Sequence, residues 1–492
     1  FEVAGEAAAF SGEVMIGDGS PLAGTVLVSA LPLPLLDGTG GRSIPAGRLS
    51  GEVSLRLENE ASASLKGTLT AEGVSLRHER VAEELIGPTS LSYEFEATIN
   101  MEGPVPPAEL ARPVPGTSEP PPVGAGAPED SQLTGGLKVT KGVLQIGSVE
   151  LEARPVLWGL NAPAGELPLP LPARLELEIL LPETPLQEIV ESIPASILGP
   201  LKGTELKGTA VWDLSLEAPL HRLSWSWWEQ TSRVEGFRIT TIDPRYDVRS
   251  LSETFGHRLG IGESRERPLV TIPSAAGASP GGENAPLLGS TAAGGTPDGS
   301  YRFVPYGEIA PAFIGAVITA EDGEFFRHNG VNWRALTYAA QRNLLEGEIV
   351  VGGSTIPMQL AKNVFLDGDR VIARKLQELG FVALANLSEA VSRERILEIY
   401  LNVIEFGPAV YGIAEAASHY FGTTPANLTV EQSVWLASII RSPRFLSRHA
   451  EAGNVPPYWL ERMEGIMELM VERGRLSEEA LEEARGVQPT FR

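Results

Sequence analysis

The chain has 492 residues, with 63 acidic against 39 basic side chains, a formal net charge of −24, a pI near 4.8 and no cysteine. That length predicts more than one domain. The acidic balance argues against a nucleic-acid partner, which would need a basic stripe, and the lack of cysteine excludes disulfides, thiolate metal sites and a thiol nucleophile.

No run reaches the roughly 18 apolar residues of a spanning helix. Gly24 to Leu36 is broken by prolines, and Leu379 to Leu387 is short. Because the first residue is Phe1 rather than Met, an upstream signal or membrane anchor is expected.

From residue 1 to 234 the pattern is period two. Glu52 to Glu58, Arg174 to Ile179 and Gly208 to Glu217 alternate polar and apolar residues, which predicts a mainly antiparallel β domain with one face of each strand buried. One short helix interrupts it. Leu186, Ile189, Val190 and Ile193 fall at helical spacing behind Pro185 and stop at Pro194, so this helix is expected to lid the sheet. Residues 101–132 are Pro/Gly-rich and predict a mobile loop. Trp225, Trp227 and Trp228 predict core or interdomain packing ahead of ligand binding. The succession of strands, lid helix and returning strand resembles the AsmA-like β-rich modules of bacterial envelope proteins. That resemblance implies an envelope location.

Residues 235–300 predict a connecting segment followed by a Gly/Pro-rich linker at 273–298. From 301 to 492 the apolar period changes to about 3.6, predicting a mainly α domain.

Chemistry concentrates in that second domain. Glu321 and Asp322 follow the apolar run Phe313 to Ile318 and precede Phe325, His328 and Gly330, so charge sits at the end of a buried element, where an acid/base group belongs. Gly352-Gly353-Ser354-Thr355 opens a helix containing Gln359, Lys362 and Asn363. Taken alone it reads as a turn and cap. Arg374 and Glu378 lie four apart on one helical face, and a further helix carries Arg393, Glu398, Tyr400 and Asn402.

In order, these residues resemble the motifs of the peptidoglycan glycosyltransferases of glycosyltransferase family 51, over Tyr306 to Arg492. Glu-Asp-x-x-Phe-x-x-His-x-Gly is complete in Glu321, Asp322, Phe325, His328 and Gly330. Gly-x-Ser-Thr-Ile-x-Gln-Gln-Leu-x-Lys-Asn is met except at Met358, which replaces the first glutamine. Arg-Lys-x-x-Glu is complete in Arg374, Lys375 and Glu378. In the fourth motif Arg393 replaces a lysine ahead of Glu398, Tyr400 and Asn402.

The resemblance implies a lysozyme-like helical fold and polymerisation of lipid II into a growing glycan strand, at the periplasmic face of the inner membrane and in company with other cell-wall synthesis proteins. By the same resemblance Glu321 is the base. Lys362, Arg374, Lys375 and Arg393 hold the diphosphate, and Glu378 orients those cations or helps bind a divalent cation, magnesium or manganese. Ser354, Thr355, Gln359, Asn363 and Asn402 position substrate, while Asp322, Phe325, His328, Glu398 and Tyr400 brace the site. No transpeptidase motif set is present, so a monofunctional enzyme is expected. The competing classes are a glycan-cleaving enzyme of the same helical architecture, which needs no diphosphate-binding cations, and an inactive envelope scaffold. Catalysis is expected to reside wholly in 301–492.

Overall fold

A computed structural model of the chain describes residues 2–3, 6–7, 9–15, 23–33, 44, 46–78, 82–104, 134–159, 174–219, 227–260, 269–274, 302–346, 352–366 and 372–492. Two compact units result, one drawn from 1–242, 337–352 and 371–374, the other from 243–336, 353–370 and 375–492.

After a two-residue pair, β1 (Glu2–Val3) with β2 (Glu6–Ala7), the first unit is a ten-stranded antiparallel meander. Its strands are β3 (Ala9–Met15), β4 (Ala23–Pro32), β5 (Ala46–Leu57), β6 (Ser62–His78), β7 (Ala82–Pro104), β8 (Thr134–Ile146), β9 (Val149–Trp158), β10 (Arg174–Pro185), β11 (Glu205–Pro219) and β12 (Trp227–Thr241). Each pairs with its sequence neighbours. The register follows the period-two pattern: Leu55 faces Leu65, Leu65 faces Ala97, and Ala97 faces Val139. One residue along, Thr25, Ser54, Lys66 and Glu96 form a polar row, with Lys66 and Glu96 paired at 2.9 Å. Adjacent rows point to opposite faces, so the sheet is apolar on one side and wet on the other.

The expected lid helix is α1 (Leu186–Ser192), followed by α2 (Ala195–Leu198). Leu186 is buried and α1 packs on β9, β10 and β11. Trp227 and Trp228 open β12, opposite Glu217 and Leu216, whereas Trp225 lies outside the described residues. So do residues 105–132 of the expected loop and 275–298 of the expected linker.

The expected boundary at 234 falls inside β12, and the segment expected to connect the domains belongs instead to the helical unit from Asp243 onward. Its 3-10 turn Val248–Ser252 buries Val248 and Leu251. The hairpin β13 (Phe255–Arg258) and β14 (Leu269–Ile272) buries Val270 and Ile272. Tyr246 lies 6.3 Å from the ring of Phe381.

The helices follow as α3 (Pro311–Glu321), α4 (Trp333–Glu346), α5 (Ile356–Phe365), α6 (Ile372–Leu387) and α7 (Arg393–Val403). A small hairpin, β15 (Glu405–Gly407) with β16 (Val410–Tyr411), leads to α8 (Gly412–Phe421), α9 (Val430–Ile439), α10 (Pro443–Leu446), α11 (Arg448–Glu451), α12 (Pro457–Glu472) and α13 (Glu478–Ala484). Side chains satisfy the free amides at several starts. Thr355 caps α5, Ser392 caps α7, and Thr429 with Gln432 forms a capping box on α9.

Helix α3 packs against α9 and α12, and α5 and α8 pack against α7. Trp435 fills the centre between Tyr420, Phe421 and Phe491, at centroid distances of 5.0, 5.8 and 4.9 Å. Among the described residues no helix is long and apolar enough to cross a membrane.

Candidate active site

Helix α3 is buried along most of its length and ends on Glu321, with Asp322 leaving helical geometry as the C-cap. An apolar helix thus delivers a half-buried carboxylate to its own end. Gln359 on α5 donates from Nε2 to Glu321 Oε2 at 2.8 Å, and Tyr400 on α7 donates to Gln359 Oε1 at 2.9 Å. Burial pushes the Glu321 carboxyl above the usual carboxylate range. The Gln359 hydrogen bond and the charges of Arg441 and Arg462 pull it back, while Asp322 adds to the rise. A carboxylate with a raised proton affinity, held by a neutral donor, is poised to accept a proton.

Asp322 is spent on the scaffold. Its Oδ2 accepts the Ile356 amide at 3.1 Å, at the start of α5, and its Oδ1 meets His328 Nε2 at 2.8 Å. The Gly330 amide donates to His328 Nδ1 at 3.0 Å, so Nδ1 is the acceptor and the proton sits on Nε2, directed at Asp322. Thr355 Oγ1 donates to the Gly330 carbonyl at 2.6 Å. Gly330 has φ of +101° and a Cβ there would overlap Val382, so only glycine fits. These contacts lock the loop after Glu321 to the start of α5. From the other side Arg475 donates to Thr319 Oγ1 at 2.9 Å and to the Gly323 carbonyl at 2.6 Å.

Lys375 on α6 donates to Ser354 Oγ and to Glu378, each at 2.5 Å, with Glu378 fully buried. A lysine flanked by a hydroxyl and one carboxylate is a fixed cation in the loop-to-helix region that begins α5. Arg374 precedes it on the same helix, and half-buried Lys362 lies on α5 one turn after Gln359. Asn363 donates to the Gln359 carbonyl at 2.7 Å. Arg393 donates to the His328 carbonyl at 2.7 Å and stands 5.8 Å from the centre of the Phe325 ring, so this cation supports the loop from behind.

One of the expected substrate contacts turns inward. Asn402, expected to position substrate, is completely buried: its Oδ1 accepts the Val304 amide at 2.8 Å and its Nδ2 donates to the Val304 and Glu398 carbonyls, each at 2.8 Å. No face of it is left for a substrate, because an amide that pairs the backbone of an incoming segment has to lie beneath it. Glu398 accepts the Tyr306 amide at 2.8 Å and pairs with Arg395 at 2.5 Å.

Among the described residues no three His, Asp or Glu side chains converge on one point. Glu378 is engaged by Lys375, and no step is assigned to a divalent cation. A cavity of about 260 Å³ lined by Val248, Leu251, Leu360, Phe381 and Val382 lies on the opposite side of α5 from Gln359, apart from the carboxylate.

Sequence reading missed Arg441, Arg462, Arg475 and Arg395. They occur singly in helical or loop sequence, and their roles come from helices distant in the chain.

Residues 291–471 match the family described as Transglycosylase. The chain is 47% identical over 152 residues to a "Biosynthetic peptidoglycan transglycosylase" of Nitrosomonas eutropha, covering 31% of this chain and 62% of the relative. It is 45% identical over 161 residues to the protein of the same name in Nitrosospira multiformis, covering 33% of this chain and 67% of that one. A third, from Herminiimonas arsenicoxydans, is 45% identical over 149 residues, 30% of this chain and 64% of the relative. The chain thus spans a little under or about two thirds of the length of these curated relatives.

Proposed function

The chain belongs to the transglycosylase family, and on that premise we propose that it polymerises peptidoglycan glycan strands from lipid II at the periplasmic face of the bacterial inner membrane. The observation that carries this reading is the Glu321 carboxylate at the buried end of α3, oriented by Gln359 and backed by Arg441 and Arg462.

In the proposed reaction the 4-hydroxyl oxygen of an acceptor sugar attacks the anomeric carbon of the donor from the face opposite the leaving group. The new glycosidic bond forms as the bond from that carbon to the diphosphate oxygen breaks. The hydroxyl proton passes to Glu321, and the electron pair leaves with the polyprenyl diphosphate. Developing negative charge on the leaving group needs fixed cations. Lys375, held by Ser354 and Glu378, supplies one, and Lys362 and Arg374 supply others in this reading. Asp322, His328, Thr355 and Arg475 keep the Glu321 loop from relaxing, a contribution of orientation.

The family's lysozyme-like architecture and the AsmA-like character of the β-rich unit belong to the same proposal, the latter as an envelope module near the membrane that retains the substrate's lipid tail. Glu321→Gln tests the mechanism. It keeps the side-chain shape and an acceptor for Gln359 while removing the base, so glycan synthesis should fall by about a hundredfold or more. Unchanged turnover in that variant would remove Glu321 from the reaction.

A further inference from the structure

We infer that Tyr400 is a positioning residue for the reaction: its hydroxyl fixes the orientation of the Gln359 amide, and through it keeps Glu321 in the proton-accepting state. The inference rests on Glu321 being the base. Tyr400 sits in the last turn of α7 with 0% of its surface exposed. Its hydroxyl donates to Gln359 Oε1 at 2.9 Å, and Gln359 Nε2 donates to Glu321 Oε2 at 2.8 Å. Asn363 braces the same residue through its backbone carbonyl at 2.7 Å.

A carboxamide has an acceptor at one end and two donors at the other. With Oε1 engaged by the phenol, the amino end must face the carboxylate. Rotated by half a turn, the amide would bring its oxygen against a carboxylate oxygen, an arrangement tolerable only if Glu321 carries a proton. Tyr400 therefore biases the site against the protonated base. Its own ionisation does not compete, because burial together with the charges of Glu321 and Asp322 holds the phenol well above its usual range. No proton is consumed by the relay: the acceptor's proton ends on Glu321, and Tyr400 and Gln359 donate hydrogen bonds without giving up a hydrogen.

The charged groups acting on Glu321 are Asp322 beside it, Arg441 beyond the end of α9, and Arg462 on α12. All three remain when Tyr400 or Gln359 is changed, so a shift in proton affinity isolates the amide. Met358, at the first-glutamine position of the motif that this segment resembles, is fully buried and has no amide. Orientation of the base thus falls to the single amide of Gln359.

The experiment uses the full chain with lipid II as substrate and reads the pH dependence of kcat/KM for the parent, Tyr400→Phe, Gln359→Leu and the double variant. Loosening the hydrogen bond that Gln359 donates to the charged Glu321 is expected to move the midpoint of the acid limb upward by up to about one pH unit in Tyr400→Phe. The deficit relative to the parent then grows as the pH falls. Gln359→Leu is expected to shift the limb in the same direction, and adding Tyr400→Phe to it should produce no further shift, since the hydroxyl acts through the amide.

A merely structural tyrosine would lower rates equally at every pH. An unmoved midpoint in Tyr400→Phe, or an equal additional shift in the Gln359→Leu background, overturns the proposal. Should Tyr400→Phe fail to fold, an unmoved midpoint in Gln359→Leu overturns it equally. Parallel measurement of Glu321→Gln separates the two levels. Parent-like turnover there defeats the assignment of the base, whereas an inactive Glu321→Gln with a parent-like Tyr400→Phe profile defeats only the relay.

Discussion

Arg395 joins the segment that begins at Asp243 to helix α7. Its guanidinium is almost completely buried. Nε donates to the Leu251 carbonyl at 2.9 Å, Nη2 donates to the Pro273 carbonyl, and Nη1 pairs with Glu398 at 2.5 Å. One side chain therefore ties the two ends of the segment to α7. Replacing it by methionine keeps most of the aliphatic volume but leaves Glu398 as a buried carboxylate without its cation and strands two carbonyls.

Breaking a buried ion pair from one side costs about 3–5 kcal/mol, a large share of the roughly 5–15 kcal/mol that stabilises a domain. Arg395→Met should lower the denaturant midpoint of the helical unit by a corresponding amount and raise amide hydrogen exchange at 248–252 and 269–273. Arg395→Met with Glu398→Leu should recover part of the loss, because it removes the unpaired buried carboxylate while the Leu251 and Pro273 carbonyls and the Tyr306 amide stay without their side-chain partners. A loss below about 1 kcal/mol in the single variant, or no recovery in the double, would refute the reasoning.

Three other outcomes follow from the same structure. A chain starting at Arg302 loses Val248, Leu251, Val270 and Ile272, each buried and worth about 1.5–3 kcal/mol. It should lack the near-ultraviolet circular dichroism of a fixed core that a chain starting at Asp243 retains, and equal spectra would show that the segment is dispensable. Glu321→Gln should raise the melting temperature at neutral pH: a carboxyl whose proton affinity is raised by folding stabilises below its unfolded pKa and loses that contribution as pH rises through the folded value. The difference from the parent should vanish in acid, and a constant difference at all pH values would argue against a burial cost.

His257, buried in β13, has a pKa lowered from 6.5 to about 4 by burial. A depressed histidine contributes fully above 6.5 and loses its contribution as pH falls toward 4. His257→Gln should therefore flatten the stability profile across that window, removing a pH-dependent loss of about 3 kcal/mol. A profile as steep as the parent's would place the acid sensitivity elsewhere.

Much of the molecule was legible before the coordinates. Period-two alternation carried both the strands and their buried face, since register and burial are set by the same pattern. The family resemblance grouped Glu321, Gln359 and Lys375 in one site, and the structure joins Gln359 to Glu321 and Lys375 to Ser354 at the start of the same helix α5. Three things were not legible. The segment from Asp243 looked like a connection because its apolar residues, Val248, Leu251, Val270 and Ile272, are spaced by turns and carry no sustained period. Asn402 was expected to position substrate from the family resemblance, whereas its burial against the Val304 backbone is a tertiary fact. Arg441 and Arg462 influence Glu321 from the end of α9 and from α12, so their effect depends on helix packing that no local pattern encodes.

The most direct measurement of the central claim is the product made by the purified full-length protein from lipid II in detergent, resolved by size, alongside its action on preformed peptidoglycan sacculi. The account expects long glycan strands with release of polyprenyl diphosphate, no strands from Glu321→Gln, and sacculi left intact. Shortened sacculi without strand synthesis would contradict it and assign the Glu321 carboxylate to glycan cleavage.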